Sequence, residues 1–208
     1  MNHLIAHAVL VWGALILAGC ASNNLTTPSP ADPRSSEVRG LTVDPRDGRL
    51  LQARSVGLHQ SRDGGKTWQR ISLPAEIATK GVAYVGIRKD QPDIVYIAGE
   101  SIGIWRSRDA GQKWQKVTRG LANERVTALA IHSNGYPRDS RKTLFAWVAE
   151  VGMFESLDDG ENWRRSVDRG MGLENQTVSA LIHSPLEGSM NTGWLYASTP
   201  AGAYLSMD

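Results

Sequence analysis

The sequence is poor in several features that would identify common functional classes. Its 208 residues contain one cysteine, Cys20, which excludes an intrachain disulfide and a multi-cysteine zinc site. Lysine and arginine number 23 against 21 aspartates and glutamates, and this excess is too small to indicate nucleic-acid binding. No phosphate-binding glycine motif occurs, so no nucleotide cofactor is expected. The overall composition of the chain, 41% hydrophobic and 21% charged residues, is typical of a globular protein.

The N-terminal apolar run is too short to span a bilayer. Residues 8–18 (AVLVWGALILA) number eleven, whereas a spanning helix needs about 20. The run has the length of a signal-peptide core, although no lysine or arginine precedes it, and the tetrapeptide LAGC ending at Cys20 follows. This tetrapeptide resembles the bacterial lipobox, which implies a signal peptide over 1–19 and lipidation of Cys20. Because Ala21 rather than aspartate follows, the resemblance also implies a cell-envelope lipoprotein attached to the outer membrane and facing the periplasm.

A polar segment separates this N-terminal region from the rest of the chain. Residues 22–36 (SNNLTTPSPADPRSS) contain three prolines and many small polar residues. The sequence therefore predicts a lipidated cysteine and a flexible tether over 20–37.

Residues 38–208 contain an internal repeat of 46–50 residues. Three segments, SRDGGKTW, SRDAGQKW and SLDDGENW, fit S-x-D-x-G-x-x-W, and the C-terminal SMD begins a fourth. The fixed positions are Ser61, Asp63, Gly65, Trp68, Ser107, Asp109, Gly111, Trp114, Ser156, Asp158, Gly160 and Trp163.

Each repeat predicts four short β-strands and no helix. First strands are predicted at 38–43, 82–87, 126–132 and 178–183, and second strands at 50–53, 94–98, 144–148 and 195–198. Third strands run from a glycine into the motif, and fourth strands start at the motif tryptophan, at 68–71, 114–117 and 163–166. This pattern predicts an all-β fold of four-stranded antiparallel propeller blades, three complete and a truncated fourth (38–80, 81–125, 126–177 and 178–208).

The motif residues suit a tight turn between two strands. The aspartate can accept backbone N–H bonds, the glycine can adopt a positive φ, and the tryptophan can pack on the sheet while its indole N–H finds a partner. Because one aspartate recurs in every repeat, we interpret the motif aspartates as fold residues rather than catalytic carboxylates.

The motif resembles the Asp-box, also called the bacterial neuraminidase repeat. It occurs in sialidases, sortilin-type receptors, xyloglucan hydrolases and photosystem II assembly factor-like propellers. The resemblance covers about residues 38–208 and implies a ring of about six to eight blades. We therefore expect the chain to be a truncated copy or a fragment of a longer propeller. Closure by pairing of chains through open blade edges, or as a small four-bladed ring, is the alternative.

By this resemblance, ligands bind at the connections between second and third strands and between successive blades. The candidate binding face consists of Glu100, Glu150, Arg119 and Arg125. Two nearby carboxylates can act as glycosidase acid and base, but solvated loop glutamates are the preferred interpretation. His132 and His183 end first strands, and no third ligand repeats with them, so no metal site is expected.

Arginine is far more frequent than lysine, at 17 against 6. Seven arginines fall in the second and third repeats: Arg106, Arg108, Arg119, Arg125, Arg164, Arg165 and Arg169. They form either a patch for an acidic partner or, as we prefer, outer-strand residues that point to water.

These features together predict a membrane-anchored, non-catalytic module that binds an unidentified protein or peptide, without cofactor or nucleic acid. The alternative is a fragment of a sialidase-like or other glycoside hydrolase propeller. The early R-I-P segment of sialidases is absent, and the nearest string, RISLP at residues 70–74, does not match it.

Overall fold

The computed structural model describes residues 36–132, 143–166, 173, 176–184 and 194–206. The predicted signal peptide, Cys20, nearly all of the tether and Arg169 lie outside the described residues. The described part of the chain forms fifteen β-strands in four antiparallel sheets. It contains no helix long and apolar enough to cross a membrane.

Three sheets have four strands and the fourth has three, each in sequential order. The first sheet comprises β1 (Val38–Val43), β2 (Leu50–Arg54), β3 (Gly57–Ser61) and β4 (Gln69–Arg70). The second comprises β5 (Tyr84–Ile87), β6 (Val95–Gly99), β7 (Gly103–Ser107) and β8 (Gln115–Lys116). The third comprises β9 (Val126–Ile131), β10 (Leu144–Val148), β11 (Gly152–Ser156) and β12 (Arg164–Arg165). The fourth comprises β13 (Ala180–His183), β14 (Leu195–Thr199) and β15 (Gly202–Ser206).

The four sheets are consecutive blades of a β-propeller. Their first strands contact one another in order, β1 with β5, β5 with β9 and β9 with β13, so these strands surround the axis and the later strands lie progressively outward. The predicted fold class, all-β with blades of four antiparallel strands, is confirmed.

Apolar side chains on both faces of the middle blades hold the array together. In β6, Val95 and Ile97 pack in the core against the first blade, whereas Tyr96 and Ala98 pack in the core against the third. Successive side chains of a strand point to opposite faces, so a blade with neighbours on both sides has nearly continuous apolar second strands. Burial of each such large side chain contributes about 1.5–3 kcal/mol, which makes the blade interfaces the main source of stability.

Strand boundaries differ from the prediction where the backbone bonds to another partner. The first strand of the second blade begins at Tyr84 rather than at residue 82, because the amide of Val82 donates to the carbonyl of Arg54 in the preceding blade (2.9 Å). The fourth strands have only two residues. Single bonds extend them, such as that from the Ile71 amide to the Leu58 carbonyl (2.9 Å).

Candidate functional site

Each S-x-D-x-G-x-x-W motif forms a turn between the third and fourth strands that is closed by its own side chains. In the first turn, the Ser61 hydroxyl donates to Asp63 (2.7 Å) and accepts from the Gly65 amide (2.9 Å). Asp63 also accepts from the Thr67 amide (2.9 Å) and hydroxyl (2.6 Å). These bonds, the Thr67 hydroxyl foremost, lower the pKa of Asp63 to about 2. The carboxylate is thus occupied within its turn.

The same bonds recur in the other two turns. The Gly111 amide donates to Ser107 and the Gly160 amide to Ser156, both at 2.8 Å. Asp109 accepts from the Lys113 amide (2.8 Å), which is the main cause of its lowered pKa. Asp158 accepts from the Asn162 amide (2.9 Å) and side chain (2.8 Å).

The three motif tryptophans differ in the partner of the indole N–H. Trp68 donates to the Gly65 carbonyl of its own turn (3.0 Å), whereas Trp163 donates to the Val117 carbonyl of the preceding blade (2.8 Å). The Trp114 nitrogen is buried with no hydrogen-bond partner among the described residues. The expectation that each indole finds a partner therefore fails for Trp114, because its ring packs in the apolar core between the first two blades.

The motif turns also join neighbouring blades through arginines. Arg49 of the first blade donates to the Ala110 carbonyl (3.0 Å), and Arg106 of the second donates to the Asp159 carbonyl (2.8 Å). Both acceptors hold the motif position before the glycine, and both have positive φ. Arg88 adds a buried ion pair to the Asp159 carboxylate. The sequence had no local signal for these bonds.

The seven arginines of the second and third repeats do not all lie on the surface. Arg106 is 2% exposed and bonded across the blade interface, so its placement among surface arginines was wrong. Arg164 pairs with Glu155 (2.8 Å), and Arg165 donates to the Val151 carbonyl (3.1 Å). Arg108 lies 3.7 Å from Glu161 in an exposed pair.

Three of the four candidate binding residues meet in one pocket. This pocket, here called the loop-face pocket, has a volume of about 390 Å³ and lies between the second, third and fourth blades. Its lining residues are Glu100, Arg125, Thr127, Trp147, Ala149, Glu150, Val151, Gln176, Thr177 and Val178. Arg119 is not part of the lining. Its carbonyl accepts from the Trp163 amide (2.8 Å), which places Arg119 beside the motif turn of the third blade.

An ion pair between Arg125 and Glu150 lies in the lining of the loop-face pocket. The guanidinium and carboxylate are 2.8 Å apart, and the side chains are 48% and 77% exposed. The hydrogen bond with Glu150, assisted by the more distant charge of Glu100, raises the pKa of Arg125. The Ala149 amide donates to the Arg125 carbonyl (2.8 Å), which holds the turn after β10 beside the residue that precedes β9. Glu150 has a positive φ of 65°, a conformation that non-glycine residues rarely adopt.

Sequence reasoning missed the pocket's apolar wall. Trp147 lies in β10 and is nearly buried, yet it lines the pocket together with Val151 and Val178. Strand alternation could have placed Trp147 on the face toward the fourth blade. The pocket itself depends on how three blades meet, which the sequence does not specify.

The two strand-end histidines lie together near the axis. The rings of His132 and His183 are 4.2 Å apart between centroids, and both line a cavity of about 300 Å³ bounded by the four first strands. Tyr84 lines the same cavity, and burial raises its pKa. Within the described ranges, no group of three or more His, Cys, Asp or Glu side chains is arranged to hold a metal ion.

Comparison with known proteins shows similarity in fold. The sequence matches no protein-family profile. No curated protein matches it in sequence. Similar solved structures include an ancestral GH74 enzyme (TM-score 0.55, 18% identity, covering 78% of this chain and 22% of the enzyme). They also include the RRP9 WD40 repeats (TM-score 0.55, 12% identity, 78% and 45%) and YCF48 bound to D1 peptide (TM-score 0.51, 12% identity, 84% and 50%).

The chain spans half or less of the length of each of these three structures. They are β-propellers with different activities, one of them an enzyme and another bound to a peptide. At such low identities the likeness is one of fold, and function must be argued from this chain's own residues.

Proposed function

We propose that the chain is a lipid-anchored Asp-box propeller segment that acts as a non-catalytic module for binding a protein or peptide. The loop-face pocket is its binding site. Cys20 carries the lipid, and the segment 20–37 links it to the blades. The repeated motif that resembles the Asp-box supports the family assignment, because its aspartate accepts a backbone N–H bond within each turn, as expected from the sequence.

One observation carries the binding role: a concave site on the loop face combines charged and apolar side chains. Trp147 and Val151 offer apolar contact, and Arg125 and Glu150 offer charged groups. Concave sites with apolar walls and a few polar groups are the usual binding sites of proteins. YCF48, a structure of similar fold, is bound to a peptide. A partner chain is therefore the ligand that we expect.

Site-specific photocrosslinking in membranes tests this role. A benzoylphenylalanine placed at Thr177, an exposed residue of the pocket lining, should crosslink to a discrete protein partner. The matched control is the same group at Lys66, which is exposed on a motif turn. That turn joins the third and fourth strands. It therefore lies at the opposite end of the strands from the turns between second and third strands. Equal crosslinking from both positions, or none from Thr177, would contradict the proposal.

The lipid anchor has a separate test. The intact chain extracted with detergent should have the mass of a protein that begins at Cys20, plus acyl groups. A Cys20→Ser variant should lose the acyl mass, because Cys20 is the only cysteine of the sequence. An unacylated mass for the wild-type chain, or an acyl mass that persists in Cys20→Ser, would contradict lipidation.

Glycoside hydrolysis is the second candidate, because Glu100 and Glu150 line the same pocket. Retaining and inverting glycosidases use two carboxyl groups on either side of the scissile bond. Against this role, the Glu150 carboxylate is already occupied by an ion pair with Arg125 at 2.8 Å. Hydrolysis of methylumbelliferyl glycosides that disappears in both Glu100→Gln and Glu150→Gln would favour the enzyme.

A further inference from the structure

We propose that the loop-face pocket receives a basic side chain, a lysine or arginine of the partner, between Glu100 and Glu150. This inference rests on the proposed function and specifies the chemistry of the partner at that site.

The charges that line the pocket favour a cation. Glu100 and Glu150 contribute two carboxylates and Arg125 one guanidinium, which leaves one net negative charge. Glu150 is paired with Arg125, whereas Glu100 makes no ion pair within the described part of the chain. Two neighbouring cations are not part of the lining: Lys80 donates to the Ser101 carbonyl (2.9 Å), and Arg165 donates to the Val151 carbonyl (3.1 Å). An incoming ammonium or guanidinium would therefore be attracted by both carboxylates, while a ligand carboxylate would be repelled by both.

The apolar wall suits the stem of a long basic side chain. Trp147, Val151 and Val178 line the pocket beside the charged groups. Lysine and arginine bury their methylene groups along apolar surface while the charged end stays near polar groups. A cation close to the Trp147 indole would also gain from the negative face of the ring. A glutamine or serine of the partner would gain neither contribution.

The backbone at Glu150 supports a role for its carboxylate. In the turns of the first two blades, Ser55 and Ser101 hold the equivalent position, two residues before the glycine. Neither has a positive φ, whereas Glu150 does. Unfavourable backbone conformations persist where surrounding contacts hold them and are frequent at functional sites. The Glu150 carboxylate in this conformation pairs with Arg125, which lies at the same end of the third blade (2.8 Å).

Binding of short blocked peptides to the full chain in detergent tests the inference. The probe is Gly-Ser-Gly-Lys-Gly-Ser-Gly, compared with versions that carry arginine, glutamate or norleucine at the centre. The chain is labelled with ¹⁵N-tryptophan, and the indole signal of Trp147 is assigned by its loss in Trp147→Phe. We expect the lysine and arginine peptides to shift this signal saturably at millimolar concentrations, with little effect from the other two.

Variants of the charged lining residues should change the affinity for the lysine peptide in opposite directions. Glu100→Gln should weaken binding of the lysine peptide about fivefold, because it removes a charge at contact distance near the surface. Arg125→Gln should strengthen binding, because it removes a repelling cation and releases Glu150. The matched control is Glu76→Gln, an exposed glutamate outside the lining, which should leave the affinity unchanged. The remaining indole signals check that each variant is folded.

Three results would overturn the inference: no saturable shift by the basic peptides, equal binding of the glutamate peptide, or weaker binding in Arg125→Gln. These results leave the proposed function standing if Thr177 still crosslinks to a discrete partner. Loss of that crosslinking would instead contradict the proposed function itself.

Discussion

Replacing Asp159 with asparagine tests whether its buried ion pair with Arg88 holds the second and third blades together. The Asp159 carboxylate binds Arg88 of the second blade, and the two side chains are only 8% and 2% exposed. The Tyr96 hydroxyl donates to the Asp159 carbonyl (3.2 Å) and lies 3.3 Å from its carboxylate. Asparagine tolerates the positive φ of this position and has the same shape, so the substitution mainly removes one charge.

The expected loss in the free energy of unfolding depends on the carboxylates that Arg88 retains. Removing one partner of a buried ion pair typically costs about 3–5 kcal/mol, because the other charge stays buried without compensation. Arg88 retains Asp90, whose carboxylate lies 2.7 Å from Nη2 and is 40% exposed. We therefore expect the lower end, a loss of about 3 kcal/mol in the free energy of unfolding, or about 6–12 °C in Tm for a chain of this size.

Urea unfolding of the full chain in detergent, followed by tryptophan fluorescence, measures this loss. The matched control is Asp90→Asn, which removes the more exposed partner of the same arginine and should cost less than about 1 kcal/mol. If Asp159→Asn costs no more than Asp90→Asn, the buried pair does not hold the blades together and the reasoning fails.

Two further predictions concern the motif turns and a close blade contact. In a carbon-13 NMR titration the Asp63 carboxyl should ionise near pH 2, below its ordinary pKa of 3.8, and Thr67→Ala should raise that pKa by removing a hydrogen bond. Its stabilising contribution should be complete above pH 4 and decline as the pH falls toward 2; a titration at the ordinary pKa would contradict this. Gly120→Ala should lower stability by about 2–4 kcal/mol, because φ is +92° and a Cβ would lie 2.1 Å from the Trp163 carbonyl. The control Gly48→Ala, with φ +72° and no atom within 4 Å, should cost about 1 kcal/mol; equal losses would exclude the contact as the cause.

The sequence predicts the blades well because the repeat makes each local pattern visible several times. The third strands start at glycines such as Gly103, and β7 and β11 both end at the motif serine, as expected. Prediction is weaker where a backbone group bonds outside its own blade. The amide of Val82 does so, and the predicted first strand of that blade is therefore too long.

The site is less predictable, since it depends on contacts between residues far apart in sequence. Arg88 and Asp159 are separated by 71 residues, and nothing local to either indicates an ion pair. For Arg106, alternation along an outer strand favoured exposure, but the third blade covers that position. Glu100 and Glu150 were chosen because they occupy the same connection in successive blades, and a repeat brings such positions together.

The outward face of the first blade differs in chemistry from the faces buried inside the array. In the second blade, the paired positions on the corresponding face are Ile97 and Trp105, both in the apolar core. In the first blade the paired residues Gln52 and His59 occupy these positions. By contrast, the outward face of the fourth blade carries an exposed large apolar side chain, that of Leu205.

This difference bears on self-association by stacking the fourth blade of one chain on the first blade of another. Arg54 on the first blade donates to Gln52 (2.7 Å) and Ser36 (3.2 Å), and its guanidinium lies 5.6 Å from the Trp68 ring centroid. Gln52, His59 and Arg54 are only 8%, 3% and 4% exposed, so stacking would remove little of their surface from water. On the same first-blade face, Leu41 and Val43 pair with Gln52 and Leu50 and are 57% and 52% exposed, so the outward faces of the first and fourth blades both offer apolar surface to self-association.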